Sequence, residues 1–373
     1  MLEQNLELSE QIYLHKALFQ NYRNLPDIPF EFNNSINCLY GANGSGKTSV
    51  IEAIYYFLHK KSFRKNTRFP QILNVNCGKP EILFQTSFID NNKNLTGYSR
   101  KFTEHGMGKL NSPFKKKLSC FVINPLDSLL FNLKAEARRD FFDQNLSLIS
   151  DSYKKHLKTY TRLVKQKNKL LHDYNPSVKS IIMILNQEIS NLSFEITQER
   201  IKWVNSLNQL LTKNYFELFS IKHLLRFELD SKFSKFSTQD FVNYYTDRHE
   251  REIMLKRHYS GVHLDDYCFY FDDMISYEFC SLGQQKMSYL ALFFAFISLY
   301  QQTLSSFPLV MIDDISSELD SERWKNLINF LKTKKFQVIL TTANENFFQI
   351  LKNSSDINEI FLSENDENAH LLH

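Results

Sequence analysis

Ile36-Asn-Cys-Leu-Tyr-Gly-Ala-Asn-Gly-Ser-Gly-Lys-Thr-Ser-Val-Ile-Glu-Ala-Ile-Tyr-Tyr-Phe-Leu58 decides the fold of this 373-residue chain. An apolar run, Ile36 to Tyr40, reads as a buried strand. Ser49 to Leu58 has helix-like apolar spacing. Between them stands a glycine-rich turn, Gly41 to Thr48, and strand, turn and helix in that order are what a phosphate-binding P-loop requires. Glycines let consecutive backbone N–H groups point at one anion, and the helix adds its positive end. The cradle comprises Gly41, Ala42, Asn43, Gly44, Ser45, Gly46, Lys47, Thr48 and Ser49. Lys47 is expected at the β- and γ-phosphates of a nucleotide and the Thr48 hydroxyl on Mg²⁺. A plain glycine turn leaves both residues without a role.

Working outward, the partner of such a loop is a buried strand ending in acids. Phe307-Pro-Leu-Val-Met-Ile-Asp-Asp314 fits, as a parallel strand bringing two carboxylates to a sheet edge. Asp313 is expected to hold Mg²⁺ and Asp314 to orient and deprotonate an attacking water. Just upstream, Cys280-Ser-Leu-Gly-Gln-Gln-Lys286 opens an apolar helix. In isolation that is an N-cap. Set before the Asp-Asp strand, Ser281 and the N–H groups from Gly283 onward face a γ-phosphate.

Composition narrows the class. Apolar residues make up 43% and aromatic residues 14%, enough for a sizeable core and unlike a disordered chain. The length predicts one large α/β domain with an insertion, or two domains. A net charge of +4 permits nucleic-acid binding without arguing for it. Cys38, Cys77, Cys120, Cys268 and Cys280 form no CxxC pair, which speaks against a zinc site or a disulfide framework and fits a reducing cytoplasm. The first twenty residues carry Glu3, Glu7 and Glu10 and lack a signal-peptide core. The apolar run Tyr289 to Tyr300 is too short to span a bilayer.

Residues 11–40 read as strand, turn, strand, with Arg23-Asn24 in the turn. Residues 80–123 alternate like an antiparallel sheet. From Ile182 the spacing Ile182, Leu185, Ile189, Leu192, Ile196, Trp203, Leu207, Leu210 is a heptad seam, broken at Arg200. The helix before it, 151–174, is joined through Tyr174-Asn-Pro-Ser177, which predicts a short antiparallel hairpin arm. That helix carries Lys154, Lys155, Lys158, Arg162, Lys165, Lys167 and Lys169. With His59-Lys-Lys-Ser-Phe-Arg-Lys65, Arg68 and Lys115-Lys-Lys117 these are either solvated faces or contacts to nucleic-acid phosphates.

The order P-loop, Ser-x-Gly-Gln turn, Asp-Asp strand and Ser317-Glu-Leu-Asp320 resembles that of ABC-type ATPases, the last segment looking like their D-loop. More closely, the chain resembles the RecF family of bacterial DNA replication and recombinational repair proteins. The matching blocks are Tyr22-Arg-Asn24, Gly41 to Ser49 with Glu52-Ala-Ile54, Ser62-Phe-Arg64, Ile123-Asn-Pro125, Arg138-Arg139 with Phe142-Asp143, Gln166-Lys-Asn168, Ser281 to Lys286, Ile312-Asp-Asp314, Ser317 to Asp320 and Gln337-Val338. They span about residues 18 to 345. Three departures stand out. Gly261-Val-His-Leu-Asp-Asp266 replaces the usual Gly-Pro-His-Arg-Asp-Asp, Leu282 replaces an arginine in the signature, and the switch segment is Leu340-Thr-Thr-Ala343.

The resemblance implies an α/β ABC-type ATPase head, a P-loop sheet with an antiparallel subdomain, plus a helical arm. Its segments are 1–130 with Walker A, 131–260 as the inserted helical lobe, and 261–373 with signature, Walker B and D-loop. It implies a cytoplasmic protein that binds ATP and Mg²⁺ and is a weak, DNA-stimulated ATPase. ATP closes a homodimer on duplex DNA near single-strand gaps, and RecR, RecO and RecA are the pathway partners. On that model Asp314, Lys47, Ser281 and Gln284 carry the chemistry, and Ser281, Gly283 and Gln284 act across the dimer. Thr48 and Asp313 hold the metal. Arg23 touches nucleotide, and Lys60, Lys61, Arg64 and the arm lysines face DNA. The alternatives are an ABC-type subunit of another pathway or a DNA scaffold with little ATP turnover. A transporter subunit fits less well, because Lys47 and Ser281 lie more than about two hundred residues apart with a heptad arm between them.

Overall fold

The computed structural model describes residues 11–64, 67–112, 118–314, 319–352 and 357–363. The first ten residues, Lys65, Lys115-Lys-Lys117, Ser317-Glu318 and the acidic tail after Ser363 therefore lie outside the described residues. In chain order the elements begin β1 (Ile12–Gln20), β2 (Phe30–Glu31), β3 (Ile36–Tyr40), α1 (Lys47–His59), α2 (Phe69–Ile72), β4 (Glu81–Asp90), β5 (Leu95–Thr103), β6 (Gly106–Met107) and β7 (Cys120–Ile123). Helices follow: α3 (Pro125–Leu133), α4 (Ala135–Ile149), α5 (Asp151–His172) and α6 (Lys179–Phe219). Then come β8 (Leu225–Asp230), α7 (Thr238–Asp247), α8 (His249–Leu255), β9 (Asp266–Phe271), β10 (Met274–Ile275), α9 (Ser276–Phe279) and α10 (Leu282–Leu304). The chain closes with β11 (Leu309–Ile312), α11 (Ser321–Lys332), β12 (Val338–Thr342), α12 (Glu345–Lys352) and β13 (Ile357–Phe361).

These elements form two compact units. The first draws on Met1–Asp127, Glu217–Ser220 and Tyr300–His373, the second on Ser128–Phe216 and Ile221–Leu299. Residues 261–299, expected with the C-terminal part of the head, group instead with the second unit. The reason is pairing: β9 runs antiparallel to β8 along its whole length, and Tyr267 of β9 stacks on Phe142 of α4 at 4.4 Å.

The first unit has a parallel sheet in the order β13-β3-β12-β11-β7 and a sheet ordered β2-β1-β4-β5-β6, antiparallel throughout. β11 and β12 are buried at every residue, as strands covered on both faces must be. β4 and β5 alternate buried and exposed, as the sequence pattern predicts. β7 departs from the expectation of an antiparallel sheet over residues 80–123, since it pairs in parallel with β11. Its residues are too uniformly apolar for a sheet with one wet face.

α1 ties the two sheets together. Val50, Ile51, Ala53, Ile54 and Phe57 share one core with Phe84 and Phe102 of the antiparallel sheet and Met311 and Ile339 of the parallel one. Phe84 sits in a ring of Phe19, Tyr22, Tyr56 and Phe57, with centroids 5.8 to 6.3 Å away. Gln337 adds a polar stitch. Its side chain donates to the Leu14 and Asn33 carbonyls at 2.7 and 2.6 Å and accepts from the Leu14 N–H at 2.9 Å.

In the second unit α5 and α6 form the predicted antiparallel hairpin. The Arg200 Nε meets the Tyr153 hydroxyl at 2.9 Å, and the two residues stand almost equally far from the turn at Pro176–Val178. α6 runs 41 residues, and Ile182, Leu185, Ile189, Ile196, Trp203 and Leu207 are buried along it. β8, β9 and β10 make a three-stranded sheet. α10 is long and apolar enough to cross a membrane, but 72% of its most apolar stretch is buried inside the protein, as in a core helix.

Candidate nucleotide-binding site

The site begins where β3 ends. Gly44 and Gly46 take positive φ of 89° and 98°, a region that disfavours any side chain. A Cβ at Gly41 would collide with the Leu362 carbonyl oxygen. These positions bend the chain so that α1 starts at Lys47 with no side-chain cap and no acid in its first turn. The helix end is thus left to an anion. Ser45 Oγ is buried and has no hydrogen-bond partner among the described residues. The Lys47 ammonium, 7% exposed, reaches back to the Gly41 and Ala42 carbonyls at 2.8 and 2.6 Å.

The acids arrive on β11. Asp313, 5% exposed, accepts on one oxygen from the Thr48 hydroxyl at 2.9 Å and from the Thr341 hydroxyl at 2.9 Å. Burial raises its pKa, and the Thr341 and Thr48 hydrogen bonds pull the other way. Asp314 leaves the strand with φ of 41°, and its N–H donates to Thr341 Oγ1 at 2.8 Å. A left-handed aspartate costs about 1 to 2 kcal/mol, and Thr341, bonded to both acids, holds it there.

A hydroxyl and a buried carboxylate in contact are hard oxygen ligands of the kind Mg²⁺ takes. The buried Ser45 hydroxyl, the bare helix end and Lys47 suit phosphate. The residues therefore fit a nucleotide with its magnesium.

Beside the loop lies a cavity of about 500 Å³ lined by Arg23, Asn24, Ser49, Arg64 and Gln71. Arg23 reaches it with its guanidinium bound to Glu52, at 2.7 and 3.1 Å. Glu52 on α1 is wholly buried and also receives the Ser62 hydroxyl at 2.5 Å, with Arg64 at 3.7 Å. Arg64, expected to face DNA, is thus drawn to Glu52, while Lys60 and Lys61 are exposed. Asn24 clasps the loop. Its amide donates to the Gly44 carbonyl at 2.8 Å and accepts from the Ser49 hydroxyl at 3.3 Å. Asn24, Glu52 and Thr341 are the residues that motif reading left without a role. The only sequence signal for the first two was their place in the quoted blocks, and for Thr341 its place in the switch segment.

The signature turn belongs to the second unit. Ser281 Oγ accepts from the Gln284 N–H at 3.3 Å, and the Ser281 N–H donates to Gln284 Oε1 at 2.9 Å, a reciprocal cap on α10. Ser281 is exposed, and its neighbours Phe279 and Leu282 are each 66% exposed. On α5, Lys154, Lys158, Arg162, Lys165 and Lys169 are exposed. Their spacing puts them in one stripe roughly 22 Å long at 1.5 Å per residue. Lys167 is not among them. It lies on the buried face with Tyr160, Leu163 and Leu171 and pairs with Glu252 at 2.6 Å, fully buried.

Sheet order, loop, acids and inserted arm define an ABC-type ATPase head. Residues 36–346 match the family model described as "AAA domain, putative AbiEii toxin, Type IV TA system", and the chain belongs to that family. Across its length it resembles RecF. It is 25% identical over 360 residues to the DNA replication and repair protein RecF of Trichlorobacter lovleyi, covering 93% of this chain and 96% of that one. With the same protein of Streptococcus agalactiae it shares 27% over 346 residues, 90% of this chain and 92% of that one. Its fold matches that of the recombination mediator protein RecF-ATP in the RecFOR pathway, with a TM-score of 0.78 at 18% identity over 96% and 99% of the chains. An Smc head domain from Pyrococcus furiosus matches at 0.53 and 14% identity, over 91% and 92%.

Proposed function

We propose that this chain is an ATP-dependent DNA-binding protein of replication and recombinational repair, cytoplasmic, closing as an ATP-sandwich homodimer on DNA at single-strand gaps. RecO, RecR and RecA are its pathway partners. The observation that carries the reading is the Thr48–Asp313 contact at 2.9 Å beside a loop with Lys47 across its base. Lys47, Ser45 and the N–H groups of the loop bind the phosphates. Arg23 and Ser49 line the cavity where the rest of the nucleotide lies. Thr48 and Asp313 hold Mg²⁺, which when bound neutralises charge on the β- and γ-oxygens. Asp314 orients the attacking water and takes its proton. Ser281, Gly283 and Gln284 meet the γ-phosphate held by a second copy. The α5 stripe contacts DNA phosphates.

Anisotropy on a gapped duplex, with and without ATP–Mg²⁺ at two salt concentrations, tests this while light scattering follows mass. Dimer and tight DNA binding together are expected. A dimer that ignores DNA leaves the ATPase head standing and removes the repair role. Neutralising Lys154, Lys158 and Lys165 should cut the salt slope by up to about 3, and an unchanged slope returns them to solvent. Exposed Leu282, where the family has arginine, favours a second reading in which ATP binds but turns over little. In that case Asp314→Asn leaves the lifetime of the ATP-bound dimer unchanged.

A further inference from the structure

Arg138, Arg139, Asp143 and the pair Asp265-Asp266 stand in the motif blocks, yet none lies in the nucleotide site. They form a charged clasp inside the second unit. Its centre is Arg200, the break in the heptad seam, 1% exposed. The Nη1 group donates to the Val262 carbonyl at 2.6 Å and to Asp265 at 2.9 Å. Nη2 reaches both Asp143 oxygens at 3.1 and 3.2 Å, and Nε reaches Tyr153. The second half is Arg138. It grips both oxygens of Asp266 at 2.8 and 2.7 Å and donates to the Phe131 carbonyl at 2.9 Å. Arg139 holds the Asp265 carbonyl at 2.9 Å. Two adjacent aspartates are thus fixed from two helices, α4 and α6.

The clasp does not end there. The Arg138 guanidinium lies over the Tyr277 ring, 4.7 Å from its centroid. Tyr277 belongs to α9, a four-residue helix, too short to hold its own shape in water. Cys280 and Ser281 follow it directly. The Cys280 N–H donates to the Ser276 carbonyl at 3.1 Å, and Gln285 Nε2 donates to the Cys280 carbonyl at 2.9 Å. On the other side the turn is open to solvent, with Phe279 and Leu282 each two-thirds exposed. Ser281 is capped locally by Gln284, and the Arg138–Tyr277 stack ties the short helix before it to the clasp.

We infer that Arg138, Asp266 and Tyr277, backed by Arg200, are positioning residues of the signature turn, holding Ser281 where it meets the γ-phosphate bound by a second copy. This rests on the reading of Ser281 given above. Functional groups must sit within roughly 0.5 Å of their working geometry. A four-residue helix held through Tyr277, by the Arg138 cation–π contact and a 3.6 Å contact of its hydroxyl with Cys268 Sγ, is where that tolerance is most easily lost. A sulfur contact of that length is a weak hydrogen bond, so the ring face, rather than the Tyr277 hydroxyl, is the working part.

The test compares Tyr277→Phe, Tyr277→Leu and Asp266→Asn with the unaltered full-length protein. Three quantities are read: ATP affinity of the monomer, ATP-driven dimer mass, and the split between KM and kcat of ATP turnover. Tyr277→Phe keeps the ring and should match the parent. Tyr277→Leu and Asp266→Asn should bind ATP within twofold of the parent, yet dimerise and turn over about tenfold less well, the loss falling on kcat. A merely structural role would lower the melting temperature and weaken Tyr277→Phe and Tyr277→Leu alike, and that pattern overturns the inference. So does parental dimerisation by Tyr277→Leu. Ser281→Arg serves as the reference. If it blocks the dimer while Tyr277→Leu does not, the positioning role alone falls. If Ser281→Arg itself dimerises normally, the trans reading and this inference fall together.

Discussion

The P-loop and the signature turn are both caps on helix starts, and the structure treats them in opposite ways. Around α1 the groups proposed to meet phosphate are enclosed and mutually bonded. Lys47 and Asp313 are under a tenth exposed, and Thr48, Asp313, Thr341 and Asp314 form one hydrogen-bonded chain. At α10 the serine caps only its own helix, amid two exposed apolar side chains. On the function proposed above, one region is complete within a single chain and the other is half of a site. Nucleotide binding and closure are then separable steps, and mutations should separate them.

The largest expected effect is Lys47→Ala. It deletes the cation proposed to sit at the phosphates, and charge-assisted contacts of that kind are worth several kcal/mol in a dry site. Nucleotide affinity should fall at least a hundredfold, about 3 kcal/mol or more, as read by fluorescent-nucleotide titration, and ATP-driven dimerisation should vanish with it. Ser281→Arg is the complementary break. Monomer binding should stay within twofold, while dimer mass on ATP addition should not rise. Dimers formed by Ser281→Arg, or tight nucleotide binding by Lys47→Ala, would erase the distinction between a complete and a half site.

The sequence revealed the two halves unequally as well. The P-loop, the Asp-Asp strand and the heptad arm are local patterns, each carried by one continuous stretch, so periodicity and spacing suffice to place them. What the sequence hid is set by partners far along the chain. Lys167 sits in a run of cations and reads as one more solvated lysine. Only its position with Tyr160, Leu163 and Leu171 puts it on the buried face, where Glu252 and His258 meet it. Arg200 reads as an error in a heptad, and its reason is Asp143 and Asp265. Glu52 reads as a polar residue on a helix, yet it is the wholly buried anchor of Arg23. β7 follows directly on an alternating stretch, and only its uniformly apolar residues and its parallel neighbour β11 set it apart from the antiparallel sheet.

The two regions should also answer differently to acid. In the second unit burial, then the nearby His258, Arg139 and Arg200, hold His263 down at about 4. His258 is lowered too, by burial first. A histidine whose folded pKa lies below the ordinary 6.5 favours the folded state only while neutral. That contribution is complete above about pH 6.5 and is lost as pH falls toward 4. Between pH 7 and 5 the His263 contribution should shrink by about 2 kcal/mol. Urea unfolding at the two pH values reads it. His263→Gln should flatten the dependence, and an equal slope in the variant would show that the titration lies elsewhere.

The smallest effect sharpens the comparison most, because it asks how finely the enclosed half is held. Asn24 contributes no charge and need not touch phosphate; it fastens the loop by donating to the Gly44 carbonyl at 2.8 Å and accepting from Ser49 at 3.3 Å. Each such bond is worth about 1 kcal/mol, so Asn24→Ala should weaken nucleotide binding about five- to tenfold and leave the melting temperature nearly unchanged. Asn24→Asp divides the two contacts. A carboxylate still accepts from Ser49, but it can no longer donate to Gly44 and sets two oxygens against each other beside the loop. It should therefore bind nucleotide more weakly than Asn24→Ala. If instead Asn24→Asp binds like the parent, the Ser49 contact carries the role and the loop keeps its shape without a clasp.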